Sequence, residues 1–151
     1  MVDTTVPKGE HEEKITISVD VFVPDHPDRT NTPIFAHSRR VLIANNPNAC
    51  CEVCGIKEDL ELHHEHVEWC DSDGVDWEKI KKDVPDFNWD GFNPDAPETF
   101  IDSVFNANRV LCKKHHIGKD HGIHYLPYPI WQMQKYKKDT FVFSPDEESS
   151  K

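Results

Sequence analysis

Residues 14–23 (KITISVDVFV) alternate apolar and polar side chains, the period-two pattern of a half-buried strand. Pro, Asp and Asn crowd residues 25–31, which read as a loop. Thr32-Pro33 then opens a helix, a threonine cap followed by proline at the first helical position, where its missing N–H costs nothing. Ile34, Phe35, Val41, Leu42 and Ile43 extend that helix over 33–44, and Asn45-Asn46-Pro47 ends it. Short strands are expected around 60–64 and 108–111, and short helices over 76–84 and 113–119. Residues 125–136 (YLPYPIWQMQKY) predict a last helix from Pro129, with Trp131 and Tyr136 as its core-packing side chains.

Residues 65–105 show no core period yet hold three of the four tryptophans, so they read as a long insertion. Its plainest form is a solvated cover in which Trp69, Trp77, Trp89 and Phe92 make a satellite core. Residues 1–13 and 144–151 are polar and acidic and are expected to be disordered tails on a single domain at 14–143. Mixed short strands and helices place the fold in the α+β class.

Composition sharpens this picture. Of 151 residues, 36% are hydrophobic and 30% charged, too thin a supply for one large apolar core. Domains in that position commonly rely on disulfides, metals or assembly. No stretch of eighteen apolar residues occurs, and residues 1–14 lack the apolar run of a signal peptide, so no membrane and a cytoplasmic setting are expected. In that compartment five cysteines and ten histidines point to metal.

Cys51-x2-Cys54 and Cys112-x2-His115 are two ligand pairs with the spacing of a tight metal-binding turn, and Gly55 supplies the left-handed residue such turns often need. Together they offer four N/S ligands for a structural Zn²⁺ whose binding would add to folding stability. Cys50 is an alternative to Cys51, although the two-residue gap favours Cys51; Cys70 reads as a spare thiol. His116 follows His115 directly, and adjacent helical residues diverge by about 100°, so His116 needs a different task. His63 and His64 leave opposite faces of a strand, and the pattern by itself does not assign which one holds metal.

The blocks Cys51-Glu-Val-Cys54-Gly, Glu61-Leu-His63-His64 and Asn108-Arg-Val-Leu-Cys112-Lys-Lys-His115-His116 resemble the HNH endonuclease motif. The resemblance covers blocks 51–64 and 108–119 on either side of the insertion. It implies a ββα-metal core, with His63 as first ligand of a catalytic divalent ion, at a position where the family often has Asp. His116 would be the second ligand, His64 the general base, and Asn108 the residue that orients the base-carrying loop through backbone hydrogen bonds. Phosphodiester cleavage leaving a 5′-phosphate and a 3′-hydroxyl follows from the same resemblance. Two departures stand out. His115 replaces a frequent Cys, which zinc accepts, and Asn108 lies four residues before Cys112 where five is common, with Asn106 as the alternative. Mg²⁺ or Mn²⁺ is the expected catalytic ion, with Ni²⁺ or Zn²⁺ also compatible with imidazole. Small stand-alone members of the family are often associated with phages, which suggests a bacterial or phage-infected host cell.

Charge qualifies the expected partner, DNA. The chain carries −11, but residues 65–102 hold twelve acids against three lysines, whereas 109–138 hold seven bases against one acid. Lys113, Lys114 and Lys119 flank the metal histidine and are candidate phosphate contacts, although a solvated helix face reads equally well. His66, His121 and His124 read as surface or satisfied core residues outside the site. The acidic insertion is a candidate cover for the basic surface, displaced by substrate or by a protein partner. A catalytically silent zinc module that mimics nucleic acid or binds protein is the competing reading.

Overall fold

Two strands carry the centre of the chain. In the computed structural model, which describes Ser18, residues 20–24 and residues 28–150, β1 (Leu60–His64) pairs antiparallel with β2 (Ala107–Cys112). Leu60 stands opposite Cys112 and His63 opposite Arg109. The register then slips: His64 faces Ala107, which leaves Asn108 unpaired across the sheet, as in a β-bulge.

Helices surround this ribbon. α1 (Pro33–Arg39) is capped as its sequence suggests, the Thr32 hydroxyl accepting from the Phe35 N–H at 3.0 Å. It continues as a π-helical turn over Arg40–Ala44, closed by the bond from Asn45 N–H to the Arg40 carbonyl at 2.8 Å. Arg39 ties this unit to the sheet through a 2.9 Å bond to the Leu60 carbonyl. α2 (Trp77–Asp83) and α3 (Glu98–Ile101) lie between the two strands, within residues 65–105. α4 (Lys113–Ile117) follows β2 without a break, and α5 (Tyr128–Tyr136) packs Trp131 into the core. The result is a small α+β structure. No helix among the described residues is long and apolar enough to cross a membrane.

The thin apolar supply is divided between two cores. Leu60, Leu111, Trp131, Cys51 and Cys112 form the first, where the sheet meets α5. Val67, Val84, Phe100 and Ile101 form the second, walled by the aromatic side chains of the insertion, including Trp77, Phe87, Trp89 and Phe92. The expected satellite core is therefore present. Around it, Asp71, Asp73, Asp83, Asp86, Asp90 and Asp95 are exposed.

Three expectations are corrected. Ser18 and residues 20–23 are not in a strand, and Val21, Phe22 and Val23 are exposed; the rest of 14–23 lies outside the described residues. Alternation provides a face but not a ladder partner, and none of the described strands lies beside this segment. Ser144 is buried and Asp146 reaches the His121 ring at 3.0 Å, so the start of the 144–151 segment packs against the chain rather than hanging loose. Tyr136 is 64% exposed, because it sits at the last position of α5, beyond the turn that faces the sheet.

Phe100 is fully buried in the second core, away from the Cys/His pairs. Phe100→Ala should lower the unfolding free energy by about 3–5 kcal/mol in urea titration. Affinity of the Cys/His pairs for added Zn²⁺ should be unchanged; a parallel loss of affinity would mean that the two cores unfold as one unit.

Candidate metal centres and the His64 site

Two sets of Cys and His side chains converge around the β1–β2 ribbon and α4. Cys51, Cys54, Cys112 and His115 offer ligand atoms that all lie within 4.8 Å of one another. The first pair stands on a knuckle closed by the bond from Gly55 N–H to the Cys51 carbonyl at 2.9 Å, with Gly55 at φ +78°. A side chain there would be strained, which is why glycine follows the second cysteine. Cys112 ends β2 and His115 lies in the first turn of α4, so His115 Nδ1 reaches the Cys112 sulfur at 3.2 Å. Arg109 locks the knuckle to β2 with a two-pronged bond to Glu52, both contacts at 2.9 Å. The set uses Cys51 rather than Cys50, and Cys70 belongs to neither cluster.

The thiols respond to this crowding in opposite directions. Burial opposes ionisation of Cys51, but the His115 side chain and the surrounding backbone bonds outweigh it and draw the pKa down to about 6. Cys112 is pushed up to about 12, first by burial and then by the neighbouring Cys51 and Cys54. A thiol drawn towards ionisation beside one that resists it suits a set whose charge a bound cation would neutralise.

The second set joins His63, His116 and His124, again with one ligand atom from each within 4.8 Å. His116 Nδ1 donates to Glu61 Oε1 at 2.8 Å, which directs its Nε2 towards His124 Nε2, 3.0 Å away. Two imidazole nitrogens on one ion at metal–nitrogen distances near 2.0–2.1 Å stand roughly 3 Å apart, so the spacing fits a shared cation. His63 Nδ1 is buried without a hydrogen-bond partner. Burial first, then like charge from His124 and His116, brings the His63 pKa down to about 3, which keeps the ring neutral and ready to coordinate. An orphaned imidazole nitrogen beside two others fits a metal.

His124 was expected to lie outside the site. The correction has a backbone cause: after α4 the chain turns at Gly118–Gly122 and doubles back, with Ile123 N–H on the His115 carbonyl at 3.0 Å and His124 N–H on that of His116 at 3.3 Å. A Cβ on Gly118 would meet the Lys114 carbonyl oxygen at 2.3 Å, so the turn requires glycine. The two glycines bracketing the span between His116 and His124 are the signal that sequence reasoning passed over. His66 is exposed, and His121 is buried and satisfied by Gln134 and Asp146, as expected for both.

His64 lies beside this cluster on the far side of the register slip. Its ring stacks on Phe35, with centroids 5.8 Å apart, and its Nε2 lies 3.1 Å from Asp102 Oδ1. The loop after it is held by a buried asparagine, but that residue is Asn106. Its Oδ1 accepts from the N–H groups of His66 and Val67 at 2.8 and 3.0 Å, and its amide donates to the carbonyls of Val67 and Ile101 at 2.9 and 2.8 Å. The loop-orienting bonds assigned to Asn108 are thus made two residues earlier. Asn108 is half-buried at the bulge, on the strand rather than beyond its end. Lys113, Lys114 and Lys119 are exposed. Lys114, with Lys135 and Lys137, lines a cavity of about 350 Å³ on the Cys54–His115 side.

Comparison with family models, curated proteins and solved structures finds no significant match.

Glu61 holds His116 as carboxylates hold metal-binding histidines elsewhere. Glu61→Gln should weaken metal binding at the three-histidine set by about 10–100-fold, read by calorimetric zinc titration of protein already filled at the cysteines. Unchanged affinity would detach Glu61 from the site. For Asp102, burial works against the charge, yet the bonds from His64, Thr32 and Arg29 prevail and hold its pKa below the ordinary value. A depressed carboxylate adds stability that is fully present above its unfolded pKa, near 4, and is lost as pH falls through the folded pKa. Thermal melts between about pH 5 and pH 3 should therefore fall less steeply for Asp102→Asn than for the unsubstituted protein.

Proposed function

We propose that this chain is a metal-dependent endonuclease or nickase of the HNH type, hydrolysing phosphodiester bonds in DNA. The observation that carries this reading is the placement of His64 beside a three-histidine cluster in which the His63 Nδ1 atom is buried without a hydrogen-bond partner. A purely structural zinc module has no use for a second constellation of histidines. In this reading Cys51, Cys54, Cys112 and His115 hold a structural Zn²⁺, and His63, His116 and His124 hold the catalytic ion.

That ion, when bound, supplies Lewis acidity for the charge that develops on the phosphate and the leaving oxygen. His64 takes one proton from a water molecule, and the resulting hydroxide attacks phosphorus. The bond to O3′ breaks, its oxygen leaves with the bonding pair and is protonated from solvent, and the phosphate stays on the 5′ side. Asn106 keeps the loop after His64 from drifting. An all-imidazole donor set suits Zn²⁺ or Ni²⁺ better than Mg²⁺ or Mn²⁺, so the third histidine moves the expected ion towards the softer pair. Lys113, Lys114 and Lys119, exposed on and after α4, are the phosphate-contacting candidates.

The exposed carboxylates of the insertion favour the competing reading, a silent zinc module that binds protein or mimics nucleic acid. Plasmid nicking with Zn²⁺, Ni²⁺, Mn²⁺ and Mg²⁺ in turn separates the two. Conversion of supercoiled to open-circle DNA by the wild type, reduced at least about 10²-fold in His64→Ala, is the expected outcome. No cleavage with any ion by folded, zinc-loaded protein would leave the binding module.

A further inference from the structure

Asp102 is the exception among the acids of the insertion. Asp71, Asp73, Asp83, Asp86, Asp90 and Asp95 are exposed, whereas Asp102 is 0% exposed and sits beside fully buried Phe100 and Ile101. A buried carboxylate is retained only with charged or hydrogen-bonding partners. Here Oδ1 receives His64 Nε2 at 3.1 Å and Arg29 Nη2 at 3.0 Å. Oδ2 receives the Thr32 hydroxyl at 2.7 Å and Arg29 Nη1 at 3.3 Å. Even the Asp102 carbonyl is taken, by Ser38 Oγ at 2.6 Å. The segment leading into α1 and α1 itself thus grip Asp102 from one side while its carboxylate meets His64 on the other.

On this geometry we propose that Asp102 is the positioning residue for His64. By accepting from Nε2–H it fixes the tautomer and leaves Nδ1 as the basic nitrogen presented to water. Phe35, stacked at 24° between ring planes, holds the orientation of the same imidazole. Nδ1 looks towards Glu68 Oε2 across 3.8 Å, too long for a direct hydrogen bond, so this nitrogen is not tied up by a carboxylate as Nε2 is. A carboxylate that holds an imidazole in one tautomer and stabilises it once protonated is a known way to make a histidine an effective base. The insertion then serves the site directly: it delivers the group that aims the base. This inference rests on the nuclease reading for its catalytic consequence, but not for the tautomer.

The test uses full-length wild type, Asp102→Asn and Arg29→Gln, with zinc content and a cooperative thermal melt as fold controls. In plasmid nicking, Asp102→Asn should lower kcat on the order of 10²-fold, with KM for DNA and affinity for added Zn²⁺ unchanged. Arg29→Gln, which loosens the carboxylate without touching His64, should lower the same parameter by a smaller factor. Long-range ¹⁵N–¹H spectra at one fixed pH should place the His64 proton on Nε2 in the wild type and give a tautomer mixture in Asp102→Asn. Wild-type kcat in Asp102→Asn, a kcat loss matched by lost zinc affinity, or a wild-type proton on Nδ1 would overturn the proposal. If Asp102→Asn fails the fold controls, Arg29→Gln decides by the same measures, and unchanged kcat counts against the role. If the wild type cuts nothing with any ion, the nuclease reading falls alone. The spectra still decide the positioning: an Nε2 proton that depends on Asp102 supports it, and any other pattern removes it.

Discussion

A two-stranded ribbon does not hold together in water by its own hydrogen bonds, and this chain has no third strand among its described residues to help. The ribbon must be clamped, and it is clamped at both ends. Where Leu60 meets Cys112, the knuckle and α4 bring four Cys and His side chains together. Where His64 meets Ala107, buried Asn106 and Asp102 tie the loop, the insertion and α1 to the strand end. The chemistry sits at these ends because that is where polar groups are forced into burial with fixed partners.

How much of this was legible follows from how local each signal is. Both ligand pairs, the Thr32 cap and the two strands depend on residues a few positions apart, and the structure places them as their spacing suggests. The three-histidine set was read only in part, because His124 reaches His116 through a return of the backbone that no side-chain period announces. Asn108 came from the resemblance with Asn106 as the alternative, and it is Asn106 that makes the bonds to the loop after His64. Spacing from Cys112 cannot choose between the two, because the bulge leaves Asn108 without a partner across the sheet. The part of 14–23 that is described, Ser18 and residues 20–23, shows the opposite error, an alternation with no ladder partner among the described strands. Asp102 could not be singled out at all, being one of twelve acids between residues 65 and 102 until burial sets it apart.

The charge of −11 also reads differently once the chain is folded. In the insertion, carboxylates lie on the outside of an aromatic cluster, so the acidity keeps a surface soluble over a core built from Trp77, Phe87, Trp89 and Phe92. The lysines of α4 and α5 are exposed on a separate part of the chain, where Lys114 and Lys135 line one cavity together with Asp139 and Glu147.

The division into two cores has a consequence for how the molecule assembles. Cys54 and Cys112 are 58 positions apart, and His64 and Asp102 are 38 apart. Closing loops of that length from an open chain is slow, because the entropy is lost before any contact compensates for it. The aromatic cluster lies inside the longer of these loops. If it condenses first, it draws the strand ends together and shortens the search for both ligand sets. Metal would then arrive late, at sites already nearly formed. In this order of events the insertion acts as an internal scaffold, and the speed with which the chain matures rests on a segment that touches no metal.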